Sequence, residues 1–460
     1  EIRLSLVGSE MCIRDRSKYN YYTQDGDKMI CLNGISKMVF SVPIDTFNFI
    51  KEILADEDKQ AQEPAITERL VEMHFLVNDN KQEIDTLLEN KRKDANSSIY
   101  QLILNPTQDC IFRCWYCYET HRESKMSDTT IDNIKKLVIK VLDREDIDRI
   151  MIGWFGGEPL MYFDDIVYPL SIFIKKEAEK RNKSFSCNMT TNGFLLTTEV
   201  VRKCSLINLN LLQITLDGDE NNHNKTRNKN GEPSFEKIVD NCIDFCSYLS
   251  DNRLALRINY TDKIIQTDFA KVLEVIPENI RPQIDVMFKR VWQTYDKKVQ
   301  KTPLGLLSNV EKLKKMNFGY NYETDFSFIG GCLCYADRNN YVNLNFDGKA
   351  YRCTAEDYNS CNALGYLNDD GDIIWENETV KSFCSKPYIE DTKCMECNLL
   401  PICGGPCFKR KYQYITNKTD FCMVDKLDTD LDHFVREYYG YVQKLSLIHI
   451  SEPTRLRRIS

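Results

Sequence analysis

The chain has 460 residues, a formal net charge of -8 and 19 cysteines. That length allows two or three domains and a sizeable core. The acidic balance argues against a broad nucleic-acid surface, and no apolar run approaches the roughly 20 residues of a membrane span.

The two ends carry no fold signal. SEMCIRD (9–15) and LSLIHIS (445–451) are encoded by opposite strands of one DNA word, which resembles a transposon-end adapter used in sequencing libraries. Residues 1–16 and 445–460 are therefore read as non-native tails. Without them the charge is about -10. The cysteines cluster at C-x2-C-type spacings in an enzyme-length chain. This favours metal ligation in a reducing, cytoplasmic setting over disulfides.

Residues 17–97 read as a small α+β unit. Strand-like MICLNGISKMVFSV precedes a helix with Phe47, Ile50 and Leu54 on one face. A second helix near Ile66–Val71, a short FLV strand and a charged helix near Gln82–Arg92 follow, and KRKDANSS (91–98) reads as a polar linker. From residue 98 to 317 apolar strands alternate with helical patterns. The strands are 99–105, 149–155, 184–190, 211–216, 254–260 and 283–288. The first helix repeats Ile131, Ile134, Leu137, Val138, Val141 and Leu142 at three and four, with Ser127 or Asp128 as its cap. Later helices are expected near 163–181, 197–205, 234–249, 266–276 and 307–316. Six strand–helix units in series imply a parallel sheet with right-handed crossovers. Eight would close a full barrel, so the expected class is α/β, a partial (β/α)6 barrel with an open mouth. Residues 318–435 lose this regularity and become dense in cysteine, as in a domain held by metal.

CIFRCWYCYE (110–119) follows the first barrel strand and holds Cys110, Cys114 and Cys117. A four-iron cube normally takes four thiolates and this run supplies three, so a fourth ligand lies elsewhere or its absence is the purpose of the site. Structural zinc with His121 as fourth ligand is the alternative, but C-x3-C-x2-C-x3-H fits the usual paired zinc spacings poorly. The run C-x3-C-x2-C, with Trp115 and Tyr116 before the last cysteine, resembles the signature of the radical SAM superfamily. The resemblance implies that S-adenosylmethionine (SAM) chelates the open iron of a 4Fe-4S cluster. An electron from the cluster then yields a 5′-deoxyadenosyl radical that removes a hydrogen atom from the target. Later segments match in order. FGGEPL (155–160) is similar to the SAM-binding segment: Gly156 and Gly157 would let backbone approach a ligand, and Glu158 would place a carboxylate near the ammonium of SAM. TTNG (190–193), with Asn192, and ITLDG (214–218), with Thr215 in place of the family's serine, follow. Arg227 would pair with the SAM carboxylate.

Cys334-x13-Gly348-x4-Cys353, then Cys394-x2-Cys397-x5-Cys403-x3-Cys407 and Cys422, resembles the SPASM domain of radical SAM peptide and protein maturases. The resemblance implies two auxiliary 4Fe-4S clusters. Cys353 and Cys407 join Cys334 of the 332–334 segment at one, with Cys332 as its fourth ligand or, alternatively, a bystander. Cys394, Cys397, Cys403 and Cys422 hold the other. Two zinc ribbons are the alternative reading of this region. Cys187, Cys204, Cys242 and Cys246 are expected to be ordinary core residues.

Anaerobic sulfatase-maturating enzymes, which form formylglycine, share the architecture and carry an aspartate base directly after the cysteine of Gly-x4-Cys. Here Thr354 follows Cys353, and the nearest acids, Glu356 and Asp357, are shifted. The resemblance therefore favours a maturase of ribosomally made peptides or proteins, giving a cross-link, a thioether or an epimerised residue. Its partners would be a precursor and a reducing donor such as a flavodoxin or ferredoxin. Residues 17–97 would then be a winged-helix-like, leader-binding domain that adds a strand to a sheet edge. A non-catalytic, metal-stabilised peptide-binding partner is the alternative of another class.

Overall fold

The structure is a computed structural model. It describes residues 15–78, 80–294, 304–320, 334–376, 380, 392–417, 422 and 431–451. Cys332 lies outside the described residues, as does Cys384.

The N-terminal unit contains β1 (Asp15–Arg16), β2 (Asn20–Asp25), β3 (Lys28–Asn33) and β4 (Val39–Pro43). Then come α1 (Ile44–Ala55), α2 (Glu57–Gln62), α3 (Pro64–Glu72), β5 (Leu76–Val77) and α4 (Asn80–Ala95). Strands β2, β3 and β4 form an antiparallel meander with β3 central. Alternation along β3 sends Cys31 into the unit's own core with Phe47, Ile53 and Phe75. Its other face, Ile30 and Leu32, packs on Ile402, Phe434 and Val435. The order is a strand meander and then helices, rather than helices followed by a two-stranded wing. Asp15 and Arg16 pair with Val77 and Leu76, and the helix Leu431–Ser451 runs past residue 445.

The 91–98 linker is corrected as well. Helix α4 continues to Ala95 because Leu87, Leu88, Lys91 and Ala95 recur at three- and four-residue spacing and are all buried. The polar composition hid a packed helical face.

The main sheet carries β6 (Ile99–Leu104), β7 (Arg149–Trp154), β8 (Ser184–Thr191), β9 (Leu209–Leu216), a small hairpin β10 (Asn228–Lys229) and β11 (Glu232–Pro233) beside it, then β12 (Arg253–Tyr260) and β13 (Ile284–Arg290). Strands β6, β7, β8, β9, β12 and β13 pair side by side, all parallel. Most of their positions are buried or half-buried because helices cover one side and the barrel interior lies on the other. The crossovers are α5 (Asp128–Leu142), α6 (Tyr168–Lys180), α7 (Thr198–Leu206), α8 (Glu220–Thr226), α9 (Phe235–Tyr248), α10 (Phe269–Val272) and α11 (Leu304–Lys315). Ser127 caps α5 by accepting from the Thr130 amide, and Ile134, Leu137, Val138, Val141 and Leu142 are buried beneath it. Each such side chain contributes about 1.5–3 kcal/mol. The four buried cysteines 187, 204, 242 and 246 belong to this core. The helix expected at 266–276 shrinks to Phe269–Val272, between a 3-10 turn at Ile264–Gln266 and Pro277.

The C-terminal region is not separate from this sheet. Beyond β14 (Gly319–Tyr320), which pairs with β13, strand β15 (Tyr341–Leu344) lies parallel to β6 at the other edge. Strands β16 (Lys349–Tyr351), β17 (Gly365–Leu367) and β18 (Ile373–Trp375) extend that edge antiparallel. Among the described residues the sheet thus has 11 strands in the order β14-β13-β12-β9-β8-β7-β6-β15-β16-β17-β18, and its ends do not pair with each other. It is the open α/β barrel expected, with a cysteine-rich C-terminal extension. Among the described residues no helix is long and apolar enough to cross a membrane.

Candidate active site

The site forms at the C-terminal ends of the parallel strands, where loops converge. The loop after β6 carries Cys110, Cys114 and Cys117. Phe112 anchors it in the core, edge-on to Phe194 with ring centroids 5.7 Å apart. The loop folds on itself. Thr107 Oγ1 donates to the Ser124 carbonyl (2.6 Å), and the Gln108 amide donates to Ser124 Oγ (2.9 Å). The Phe112 amide points at Cys110 Sγ (3.4 Å), and Asn192 Nδ2 approaches the same sulfur (3.7 Å).

The two glycines at the end of β7 approach the protein's own backbone. The Gly157 amide donates to the Thr107 carbonyl (3.1 Å) and the Glu158 amide to the Asp109 carbonyl (2.8 Å). A Cβ on Gly157 would lie 2.0 Å from the Asp109 oxygen, and Gly156 has φ +93°. Bare backbone is required because the cysteine loop is seated directly on this turn. Gly157→Ala is therefore expected to cost about 1–3 kcal/mol or more and to displace Cys110. Urea unfolding and iron counts on the variant check both.

Glu158 is fully buried, but its partners belong to the protein. Oε1 accepts from the Leu160 amide (3.0 Å) and Thr191 Oγ1 (2.6 Å), and Oε2 accepts from the Asn192 amide (2.7 Å). Burial raises its carboxyl and these donors oppose that. Glu158 thereby clamps the ends of β7 and β8. Through Asn192 it also orients the group that meets Cys110.

Facing Cys114 is a second network. Tyr116 donates to the Asp217 carboxylate (2.6 Å), Arg227 Nε donates to Asp217 Oδ2 (3.0 Å), and Arg227 Nη2 donates to the Tyr116 hydroxyl (2.8 Å). Asn259 Nδ2 also reaches that hydroxyl (3.0 Å). Burial raises the Cys114 thiol and the Arg227 guanidinium lowers it, so the arginine lies within electrostatic reach of the sulfur. Thr215 is buried on β9 in register with Arg257 of β12. Arg257 and Asn259 were missed in the sequence. Their signal was two polar residues at alternate positions in LALRINY, which places them on one strand face. Arg257 Nε donates to Asn259 Oδ1 (2.8 Å), which in turn orients Tyr116.

His223 supports the network from behind. Its Nδ1 accepts the Asp217 amide (3.2 Å), so the ring proton sits on Nε2 beside Ser234 Oγ (3.1 Å). Ser234 donates to the Arg227 carbonyl (2.7 Å). Burial, then the Arg227 charge, lowers His223 to about 3. The unfolded imidazole titrates near 6.5, so the unfolded state binds the extra proton between these values. The stability from neutral His223 is complete above pH 6.5 and is lost as pH falls toward 3. Between pH 6.5 and 5 the loss is about 2 kcal/mol. A His223→Asn variant should lose less over that range in paired urea titrations.

The C-terminal cysteines form two sets. The Cys334 thiol is raised by burial and by neighbouring Cys407 and Cys353. Cys403 is raised by burial and then by Cys422 and Cys397, and the Cys397 amide donates to the Cys394 carbonyl (3.1 Å). The two expected acids are engaged elsewhere. Glu356 pairs with Lys409 (3.1 Å). Asp357 accepts from the Thr120 amide (2.8 Å) and hydroxyl (2.9 Å), tying the extension to the loop after Cys117. The N-terminal unit grips the Cys394–Cys407 segment. Lys18 donates to the Met395 carbonyl (2.8 Å), Tyr21 to that of Asn398 and Lys91 to that of Gly404.

This donor chemistry suits iron–sulfur clusters. Burial pushes Cys110 and Cys353 up to about 12 and Cys117 to about 11, so these thiols ionise readily only by binding metal. Among the described residues no three His, Cys, Asp or Glu side chains converge on one metal ion. The amides directed at Cys110 and Cys353 (Ala355 N, 3.3 Å) are bonds that tune such clusters.

Residues 104–271 match the Radical SAM superfamily. The chain is 23% identical over 359 residues to a cysteine-type anaerobic sulfatase-maturating enzyme of Clostridium novyi (strain NT), covering 71% of this chain and 92% of the relative. It is 22% identical over 382 residues to the radical SAM cyclopropyl synthase TigE of Paramaledivibacter caminithermalis, covering 75% and 77%. Among solved structures, native anSMEcpe with bound AdoMet and Cp18Cys peptide shares the fold, with TM-score 0.58 and 15% identity over 75% of this chain and 99% of that one. With the open parallel barrel, the cysteine loop at its mouth and the cysteine-rich extension, these likenesses assign the chain to the radical SAM superfamily, as an enzyme of its SPASM type with SAM and iron–sulfur clusters as cofactors.

Proposed function

We propose that the enzyme matures a ribosomally made peptide or protein, installing a cross-link, a thioether or an epimerised residue. Cys110, Cys114 and Cys117 hold the SAM-binding 4Fe-4S cluster. Cys334, Cys353 and Cys407, with Cys332, hold the first auxiliary cluster, and Cys394, Cys397, Cys403 and Cys422 hold the second. When bound, the first cluster supplies the electron that cleaves SAM to methionine and the 5′-deoxyadenosyl radical that takes hydrogen from the substrate. The protein's part is orientation. Arg227, fixed by Asp217 and Tyr116, offers its remaining donors to the SAM carboxylate. Glu158 aligns the ends of β7 and β8, and Asn192 addresses Cys110.

The observation that carries this reading is the joining of the three-thiol loop to the Arg227–Tyr116–Asp217 network at one sheet end. A peptide or protein substrate is supported by the solved anSMEcpe complex with the Cp18Cys peptide and by the name of the Clostridium novyi relative, a sulfatase-maturating enzyme. A leader would bind the N-terminal meander, whose β4 is an edge strand among the described residues. Formylglycine formation is the second reading, favoured by the likeness to the Clostridium novyi enzyme. Thr354 after Cys353, and the engagement of Glu356 and Asp357 by protein partners, weigh against it.

Anaerobic reconstitution tests the proposal, with iron, sulfide and zinc counted before SAM and a reductant such as reduced flavodoxin are added. About twelve irons per chain, with 5′-deoxyadenosine formed and its yield raised by a precursor peptide, is the expected result. Zinc in place of iron, or iron without SAM cleavage, overturns it. Formylglycine in a sulfatase peptide selects the second reading.

A further inference from the structure

Lys91 is a cation with no evident reason to be buried. It is 1% exposed, near the C-terminal end of α4 in the N-terminal unit. Its ammonium donates to the Gly404 carbonyl, a neutral partner directly after Cys403. Among the described residues it forms no ion pair. The nearby buried carboxylate, Asp337, is engaged by Lys411 at 2.8 Å, and both side chains are enclosed. Lys91, Lys411, Cys394, Gly404 and Gly405 line one cavity between α4 and the C-terminal extension. Burial, then the like charge of Lys411, pulls Lys91 down to about 8, while Asp337, Cys403 and Asp94 oppose this.

A buried ammonium costs several kcal/mol unless an anion compensates it. Asp337 brings one negative charge against two lysines, and Arg352, also buried, spends its guanidinium on the carbonyls of Ala336, Arg338 and Tyr341. Lys91, Lys411 and Arg352 thus face the carboxylates of Asp337 and the half-buried Asp94, so positive side chains outnumber negative ones and the thiols around the cavity are a further source of negative charge. A cube ligated by four thiolates is an anion, and reduction adds one more negative charge.

We propose that Lys91 is a positioning residue for the second auxiliary cluster, through which the N-terminal unit supplies a buried counter-charge that raises the cluster's reduction potential. The proposal rests on the assignment of Cys394, Cys397, Cys403 and Cys422 to that cluster. The unit that would bind a leader also holds Lys18 and Tyr21 on the same cysteine segment, so movement of this unit would be felt at the cluster as a change of nearby charge.

The test uses the full chain with Cys110, Cys114 and Cys117 replaced by alanine, so that only auxiliary clusters remain. Iron is counted, and the potential is read by dye-mediated titration with electron paramagnetic resonance. In Lys91→Met the ratio of reduced to oxidised second cluster at a fixed potential should fall about tenfold, which is about 59 mV for one electron. Lys91→Arg should hold the parent value, as should Lys93→Met, whose side chain is exposed. Loss of the second cluster's iron in Lys91→Met but not in Lys91→Arg also supports the proposal. A full iron count with an unchanged potential in Lys91→Met overturns it alone. So does equal iron loss in the methionine and arginine variants, which would make the residue a matter of shape. Absence of iron that depends on Cys394, Cys397, Cys403 and Cys422 in the parent overturns the cluster assignment as well.

Discussion

Cys114→Ala is expected to abolish 5′-deoxyadenosine formation while leaving about eight of about twelve irons per chain. The expectation follows from the modularity of the cysteines. Cys110, Cys114 and Cys117 sit on one loop whose fold is set by Thr107, Ser124 and Phe112, none of which belongs to the C-terminal sets. Removing one thiol leaves two protein ligands for a cube that already lacks a fourth. The auxiliary thiols stay in place because β15 is held in the sheet by its pairing with β6. The measurement is iron per chain together with SAM turnover under dithionite. Retained turnover would sink the assignment of this loop. Loss of all iron would show that the three sites do not assemble independently.

Arg227→Ala should have the largest effect on stability. Arg227 and Asp217 are buried, with side-chain exposures of 11% and 2%. Breaking a buried pair from one side leaves an uncompensated carboxylate and costs about 3–5 kcal/mol. Tyr116 would lose one donor to its hydroxyl and with it part of its orientation beside Cys117. A double variant, Arg227→Ala with Asp217→Asn, should recover part of the stability because no charge is then stranded, but it should not recover SAM binding. Urea unfolding and calorimetric titration with SAM separate the two effects. Arg227→Lys should keep more stability than alanine but still bind SAM weakly, since an ammonium cannot bridge Asp217 and Tyr116 as the fork does. Full SAM affinity in the alanine variant would remove Arg227 from the site.

These two residues also show how unevenly the molecule can be read from its residues in order. The strand expected at 184–190 is Ser184–Thr191, and that expected at 283–288 is Ile284–Arg290. Such segments are legible because each is a short stretch set between two helical patterns, and its limits are local. The three-cysteine loop is legible for the same reason, with every ligand candidate within eight positions. Helix 266–276 fails because a 3-10 turn and Pro277 leave room for only one helical turn.

By itself, then, the sequence determined the alternation of strands and helices, the place of the cysteine loop after the first barrel strand, and the ordered C-terminal cysteines. Only the tertiary structure decided what the charged groups do. Glu158 clamps two strand ends, Arg227 is bound to Asp217 and Tyr116, and Asp357 ties the extension to the loop after Cys117. It also decided that β15 completes the edge beside β6, and that a lysine in an apparent linker is buried against Gly404, 313 residues away. The physical reason is range. Periodicity and ligand spacing are written over a few residues. The partner of a buried charge is chosen by desolvation, which depends on whatever the completed fold brings alongside it.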